Sequence, residues 1–219
     1  MPEGFHPPVE EYLKVIFELE EEGVPVIRAR LAERLGHSGP TVTETVRRLV
    51  ADGHLEVEDR ALRLTAQGRG RAEGVVRRHR LAERLLADVI GLEWAKVHQE
   101  AGRWEHVISD DVEARLVALL GDPATCPHGN PIPGSARPRP RLAPLAEARA
   151  GQEVLLGRIS ETVEVDLDSL VYLDAHRFRP GASATVKERA PDGTLTLLVE
   201  GETLAVSPGL AAQLFIEAS

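Results

Sequence analysis

Seven prolines crowd the stretch from Pro123 to Pro144, and apolar residues are spaced differently on either side of it. Proline fixes φ and removes a backbone donor, so no long helix or central strand crosses such a stretch. Two separate apolar arrangements are therefore required. Over residues 9–120 the spacing is helical, beginning with a stripe at Tyr12-Leu13, Ile16-Phe17 and Leu19. After Ala150 come short β-like runs at Glu153–Ile159, 183–188, Leu195–Val199 and 203–206, with turn signals at Pro180-Gly181 and Pro191-Asp192-Gly193. A helical turn is expected over 168–174. The expected fold class is α+β, ending in a small antiparallel barrel. The expected divisions are 1–65, a helical 66–134, a Pro-rich linker 135–149 containing Arg137-Pro138-Arg139-Pro140-Arg141, and 150–219.

Within the first division, Arg28–Leu35 reads as a short helix with Leu31, Ala32 and Leu35 on one side. Gly36-His37-Ser38-Gly39-Pro40 breaks it. Ser38 is a good N-cap, and Pro40 is tolerated in a first helical turn, where its missing N–H has no partner to lose. The next helix buries Val42, Val46 and Leu49 and turns Thr41, Thr43, Glu44, Arg47 and Arg48 outward. Leu55/Val57 and Leu62/Leu64 then alternate around Asp59-Arg60-Ala61. This spacing predicts a helix-turn-helix with a wing, its polar second helix suited to a major groove.

Charge points the same way. The chain of 219 residues carries a net charge of −9, yet between Arg28 and Arg84 there are 13 Arg and no Lys against 8 acidic residues. That stretch is net +5 and the remainder −14. A basic island in an acidic protein is expected where one module alone meets phosphate.

Other features exclude function classes. No apolar run approaches the roughly 20 residues that cross a bilayer, so no membrane partner is expected. Met1-Pro2-Glu3-Gly4-Phe5-His6 lacks the basic and apolar regions of a signal peptide. Cys126 is the single cysteine, so no internal disulfide forms and a cytoplasmic setting is favoured. His-Glu-x-x-His, a phosphate-binding glycine loop and Gly-x-Ser-x-Gly are all absent. A non-enzyme is therefore expected. A metal-dependent hydrolase is the different-class alternative, and a metal-independent winged-helix regulator with an organic effector is the other rival.

A long helix over 66–90 sets His79 and Glu83 four residues apart on one face, as metal-ligand pairs are. A second helix from Trp94 carries His98, then Glu105 and His106. On one helix His98 and Glu105 lie about 10 Å apart along the axis, too far for one ion bound at ~2 Å. If both groups bind metal, there are two sites.

The run Arg78-His79-Arg80-Leu81-Ala82-Glu83-Arg84-Leu85-Leu86 resembles the diphtheria toxin repressor/manganese transport regulator family. So do Arg28-Ala29-Arg30, Ser38-Gly39-Pro40-Thr41-Val42, Arg103-Trp104-Glu105-His106 and Gly129-Asn130-Pro131-Ile132-Pro133. The likeness runs in order over nearly the whole chain. It implies a winged helix-turn-helix DNA-binding domain, a helical dimerisation and metal-binding domain, and a C-terminal SH3-like β-barrel. It further implies a homodimer that represses metal-homeostasis genes, with operator DNA as partner and two dimers often on one operator.

The resemblance makes His79, Glu83 and His98 one metal site, and Glu105 and His106 another, with Glu11 as its further ligand. In the iron-responsive branch the Glu11 position looks like methionine and the Gly102 position is a cysteine. Their absence leaves a hard, oxygen-rich set that favours Mn²⁺ over softer competitors, with Fe²⁺ possible and other divalent transition metals as surrogates. Glu10 and Glu100 are reserves. Cys126-Pro127-His128 is similar to manganese-responsive members, which implies that Cys126 and His128 complete the site of Glu83. A carboxylate from the barrel is also implied, with Glu164, Asp166 and Asp168 as candidates. On the DNA side Arg28, Ser38, Pro40 and Thr41 match contact positions, while Glu44 stands where the iron branch carries glutamine. A carboxylate accepts from cytosine but cannot donate to adenine, so the operator is expected to differ.

Overall fold

The computed structural model describes residues 8–138 and 140–217. The Met1-Pro2-Glu3-Gly4-Phe5-His6 run and Arg139 of the expected linker lie outside the described residues. Two compact units result: residues 1–78 with 105–108, and residues 79–104 with 109–219. The helical stretch expected over 66–134 is thus shared between units.

The first unit opens with α1 (Pro8–Glu21), which buries Tyr12, Leu13, Ile16, Phe17 and Leu19 as the stripe predicts, and also the charged Lys14 and Glu18. α2 (Arg28–Leu35) stops at Gly36, whose φ of 65° lets its N–H reach Ala32 O. Ser38 caps α3 (Gly39–Ala51) by accepting from the Thr41 N–H at 3.3 Å. Leu31, Val42, Val46 and Leu49 lose all contact with water, each burial stabilising by roughly 1.5–3 kcal/mol. β1 (Leu55–Glu58) and β2 (Ala61–Leu64) pair antiparallel with Leu55 opposite Leu64, and the turn is made with Asp59 at φ 56°. α4 (Ala66–Arg84) then begins. A Cβ on its Gly68 would stand 2.0 Å from the His54 carbonyl oxygen, so only glycine lets the helix lie there.

The second unit takes the rest of α4 from His79. The long helix expected over 66–90 changes at Leu85–Ile90 into a π-helical stretch that ends at left-handed Gly91. A 3-10 turn, Trp94–Lys96, leads into α5 (Val97–Trp104). That helix stops before Glu105 and His106, which lie in the turn that follows, so the expected single helix through them is not formed. α6 (Asp110–Leu120) is capped by Ser109. After the proline-rich stretch come β3 (Leu142–Pro144), β4 (Glu153–Ile159), the one-turn α7 (Glu161–Glu164), α8 (Leu167–Ala175), β5 (Ser183–Arg189), β6 (Leu195–Val199), β7 (Glu202–Val206) and β8 (Leu214–Glu217).

Among the described residues these six strands form one antiparallel sheet of order β3-β8-β4-β5-β6-β7. Its end strands β3 and β7 do not pair with each other, so the expected barrel is an open sheet. The expected linker is also shorter than its prolines suggest. Leu142–Pro144 pairs with β8 and Leu145 is wholly buried. Pro144 is tolerated because β3 is an edge strand, where a missing donor faces no partner. Trp94, Leu156, Ile159, Leu173, Phe178, Val186, Leu197 and Leu214 share the core of this unit.

Candidate metal centres and nucleic-acid interface

The last turns of α4 present His79 and Glu83 together, and α5 adds His98. Glu83 Oε1 lies 3.3 Å from His79 Nε2, 3.1 Å from His98 Nδ1 and 3.3 Å from His128 Nδ1. From α7, Glu164 Oε2 approaches the same rings, 2.9 Å from His98 Nδ1 and 3.1 Å from His128 Nδ1. Ligand atoms of Glu83, Cys126, His128 and Glu164 fall within 4.8 Å of one another, as do those of His79, Glu83 and His98, and those of His98, Glu161 and Glu164.

The loop that carries Cys126 and His128 is held from several sides. Cys126 N–H donates to Asn130 O, Ile159 N–H to His128 O and Trp94 Nε1 to Pro127 O. Arg84 reaches Thr125 O and Cys126 O, while Arg80 binds Pro131 O and Glu161. Gly129 makes the loop possible: its φ is +87°, and a Cβ there would meet Gly157 O at 2.1 Å. Asn130 Nδ2 donates to Ile159 O and to the Glu164 carboxylate, fixing the latter's direction.

Burial alone would raise the Glu83 carboxyl, but the charge of His79 and the close approach of the His128 and His98 rings hold it well below the usual range. Burial opposes a charge on His98, yet Glu164 and Glu83 lift it to about 10. His128 is raised against burial by Glu164 and Glu83, and burial pushes the Cys126 thiol up. Glu83 Oε2, His128 Nδ1 and Glu164 Oε2 are enclosed without a hydrogen bond of acceptable geometry. Carboxylate oxygens, imidazole nitrogens and a thiol converge here, and a divalent ion fits this nitrogen, oxygen and sulfur set.

The second grouping belongs to the first unit. Ligand atoms of Glu11, Glu105 and His106 lie within 4.8 Å of one another. His106 Nε2 is 3.2 Å from Glu105 Oε1 and 3.9 Å from Glu11 Oε2. Its other nitrogen, Nδ1, donates to Glu10 at 2.8 Å. Glu105 also accepts from Lys14 Nζ at 2.8 Å, in an ion pair shielded from water. Two carboxylates and one imidazole are hard donors that fit Mn²⁺ or Fe²⁺. Nothing lies within 4 Å of where a Cβ on Gly102 would stand.

Across α3 the side chains of Thr41, Thr43, Glu44, Arg47 and Arg48 are exposed, and Arg60 is exposed at the hairpin turn. Arg47 bridges to Glu44 at 2.7 Å, Thr43 back-bonds to Gly39 O, and Ser38 meets Thr41 Oγ1. Pro40 is exposed beside them and Arg28 is half-buried. A polar helix of this kind, seated on a sealed apolar face, is equipped for a groove.

The iron dependent repressor N-terminal DNA binding domain matches residues 5–61, and the iron dependent repressor metal binding and dimerisation domain matches residues 65–134. An FeoA domain matches residues 143–218. The iron-dependent repressor IdeR of Mycobacterium tuberculosis is 48% identical over 211 residues, 91% of each chain. The diphtheria toxin repressor of Corynebacterium diphtheriae is 45% identical over 219 residues, 95% of this chain and 96% of that one.

This chain belongs to the diphtheria toxin repressor family.

It is a metal-dependent transcriptional repressor. A solved structure described as a manganese-dependent transcriptional repressor in complex with manganese superposes with a TM-score of 0.86 at 32% identity, over 96% of the repressor and 100% of that chain. The manganese regulator SloR superposes with 0.78 at 30% identity, over 98% and 100%.

Of the residues predicted for the metal sites, the repressor brings together His79, Glu83, His98, Cys126, His128 and Glu164 in one grouping, and Glu11, Glu105 and His106 in another. Asp168 is not among them. It is exposed on α8, while Asp166 caps that helix through Ser169. The reason is geometric: Glu164 ends the buried turn of α7, and the chain then runs out to solvent. Glu100 accepts from Arg103 and Trp104 instead of joining either grouping. Sequence reasoning missed Glu161, which sits beside Glu164 and pairs with buried Arg80, and the partner Lys14; Glu10, expected as a reserve ligand, instead partners His106 Nδ1. A lysine inside an apolar helix stripe was the available signal for Lys14.

Proposed function

We propose that the repressor is switched on by Mn²⁺ held at two places, Glu11/Glu105/His106 and the grouping of His79, Glu83, His98, Cys126, His128 and Glu164. The observation that carries the metal assignment is the identity of two residues: a glutamate stands at position 11 and a glycine at position 102, so neither brings sulfur. Oxygen-rich sets suit Mn²⁺. Fe²⁺ is the second reading, supported by relatives whose names call them iron-dependent.

A bound dication supplies the positive charge that lets Glu11 and Glu105 remain close. Glu10, by accepting from Nδ1, directs the lone pair of His106 Nε2 toward Glu105 and Glu11. Glu105 and His106 tether α1 through Glu11, which favours one placement of the helices that follow it. Arg28, Ser38, Pro40, Thr41, Thr43, Arg47 and Arg48 then meet the DNA, the arginines at phosphate or guanine and the hydroxyls at phosphate, with Glu44 accepting from a cytosine amino group.

A homodimer supplies two such helices, and two dimers share one operator. Exposed Val89, Ile90, Val112 and Leu119 support an apolar dimer surface. Among the described residues no helix is long and apolar enough to cross a membrane, and a role on operator DNA supports a cytoplasmic setting. The test is an anaerobic operator-shift titration of demetallated protein with Mn²⁺, with Fe²⁺ and with chelator. Activation at lower free Mn²⁺ than the cell supplies of Fe²⁺ supports the first reading. Tight operator binding without any metal refutes both.

A further inference from the structure

Lys14 places an ammonium where a cation site is otherwise being built. Its side chain is only 8% exposed, and Nζ lies 2.8 Å from Glu105 Oε2, while the other oxygen of the same carboxylate faces His106. Burial opposes a charge at Nζ, but Glu105, Glu18 and Glu11 together keep the ammonium protonated. Packing alone does not require lysine here. Its neighbours on α1, Leu13, Val15 and Ile16, are all apolar and buried, and a methionine would fill similar volume.

We propose that Lys14 is the resident counter-cation of this site: in the metal-free repressor its ammonium holds Glu105, a divalent ion must compete with it, and Lys14 thereby sets the metal concentration at which the repressor responds. The proposal rests on the reading of Glu11, Glu105 and His106 as metal ligands. A dication brought to Glu105 meets a positive charge a few ångströms away in a water-poor pocket, where like charges repel far more than in bulk water. Either the ammonium stays and repels the ion, or it leaves its buried partner. Both weaken binding. A monovalent cation gains nothing over the ammonium already present, whereas the second charge of a divalent ion does. In the metal-free state the pair also spares the fold a buried bare carboxylate.

The test uses the full-length chain with Glu83→Gln and His128→Ala, which silence the other grouping, and follows free Mn²⁺ by its electron paramagnetic resonance signal. Lys14→Gln removes the charge but keeps a donor for Glu105, so it remains informative if Lys14→Met fails to fold. Both neutral variants are expected to bind Mn²⁺ at least about tenfold more tightly. Lys14→Arg stays within roughly threefold of its parent. The rise in melting temperature on adding Mn²⁺ is larger for Lys14→Gln than for the parent. Equal or weaker binding by Lys14→Gln overturns the proposal and leaves Lys14 as a residue that only positions Glu105. A parent whose Mn²⁺ binding is unaffected by His106→Ala overturns the ligand reading itself, and this inference with it.

Discussion

His106 Nδ1 lies 2.8 Å from the Glu10 carboxylate, which can only accept, so the ring is held with Nε2 turned toward Glu105 and Glu11. The sequence makes Glu10 a spare ligand. The structure makes it the group that orients the His106 ring.

Glu10→Gln is therefore expected to weaken metal binding at Glu11/Glu105/His106 by about 10- to 100-fold, the usual cost of losing the group behind a ligating histidine. Calorimetric titration resolves this from the other grouping, whose affinity stays as it was. An unaltered isotherm would falsify the orienting role.

His128→Ala removes a ring enclosed between Glu83 and Glu164. Metal analysis after dialysis should show one Mn²⁺ per chain in the variant against two in the parent. Retention of two equivalents contradicts the assignment of this loop as ligand-bearing.

Proton release gives a separate handle. His98 is lifted to about 10, so in neutral solution it carries a proton that a metal must displace. Binding at this grouping should release protons and strengthen as pH rises from 6.5 to 8.5, by up to about tenfold per unit for each proton displaced. Calorimetry in buffers of different ionisation enthalpy measures the number, and His98→Ala lowers it.

Glu161 pairs with buried Arg80 at 2.9 Å, and despite burial Arg80 holds its carboxyl at about 2 rather than the ordinary 4.5. A depressed folded value means the stabilisation is complete above pH 4.5 and is lost as pH falls toward 2. Glu161→Gln should cost roughly 3 kcal/mol at neutral pH and flatten the acid limb of a pH–stability curve. A variant as acid-sensitive as the parent leaves the pair without that role.

Arg48 is exposed on α3 beside Arg47, which already bridges to Glu44. Arg48→Ala should reduce the salt dependence of operator binding by about one unit of slope if it meets a phosphate. An unchanged slope removes it from the interface.

Much of the fold is local and was readable. Ser38 and Pro40 mark the start of α3 because a capping oxygen and a pre-set φ act within one turn. Asp59 marks the hairpin turn, and Gly36 the end of α2. Leu31, Val42, Val46 and Leu49 are buried as their spacing requires. Where distant partners decide, the reading faltered. Leu142–Pro144 looks like linker until β8 pairs with it, and the end strands of the sheet stay apart instead of closing. The candidate ligands divide along the same line. His79 and Glu83 are four apart on a helix and declare themselves, but the choice of Glu164 over Asp168 depends on which side of α7 the fold seals from water.

The sequence by itself determined the helix-turn-helix with its wing, the two stretches that carry the candidate ligands and the family, because caps, periods and motif residues act over a few positions. Only the tertiary structure decided that Glu164 and Glu161 join His98, that Glu10 steers His106 and that Lys14 occupies Glu105. These are contacts between residues remote in the chain. Their strength comes from exclusion of water, and no local pattern of residues encodes that.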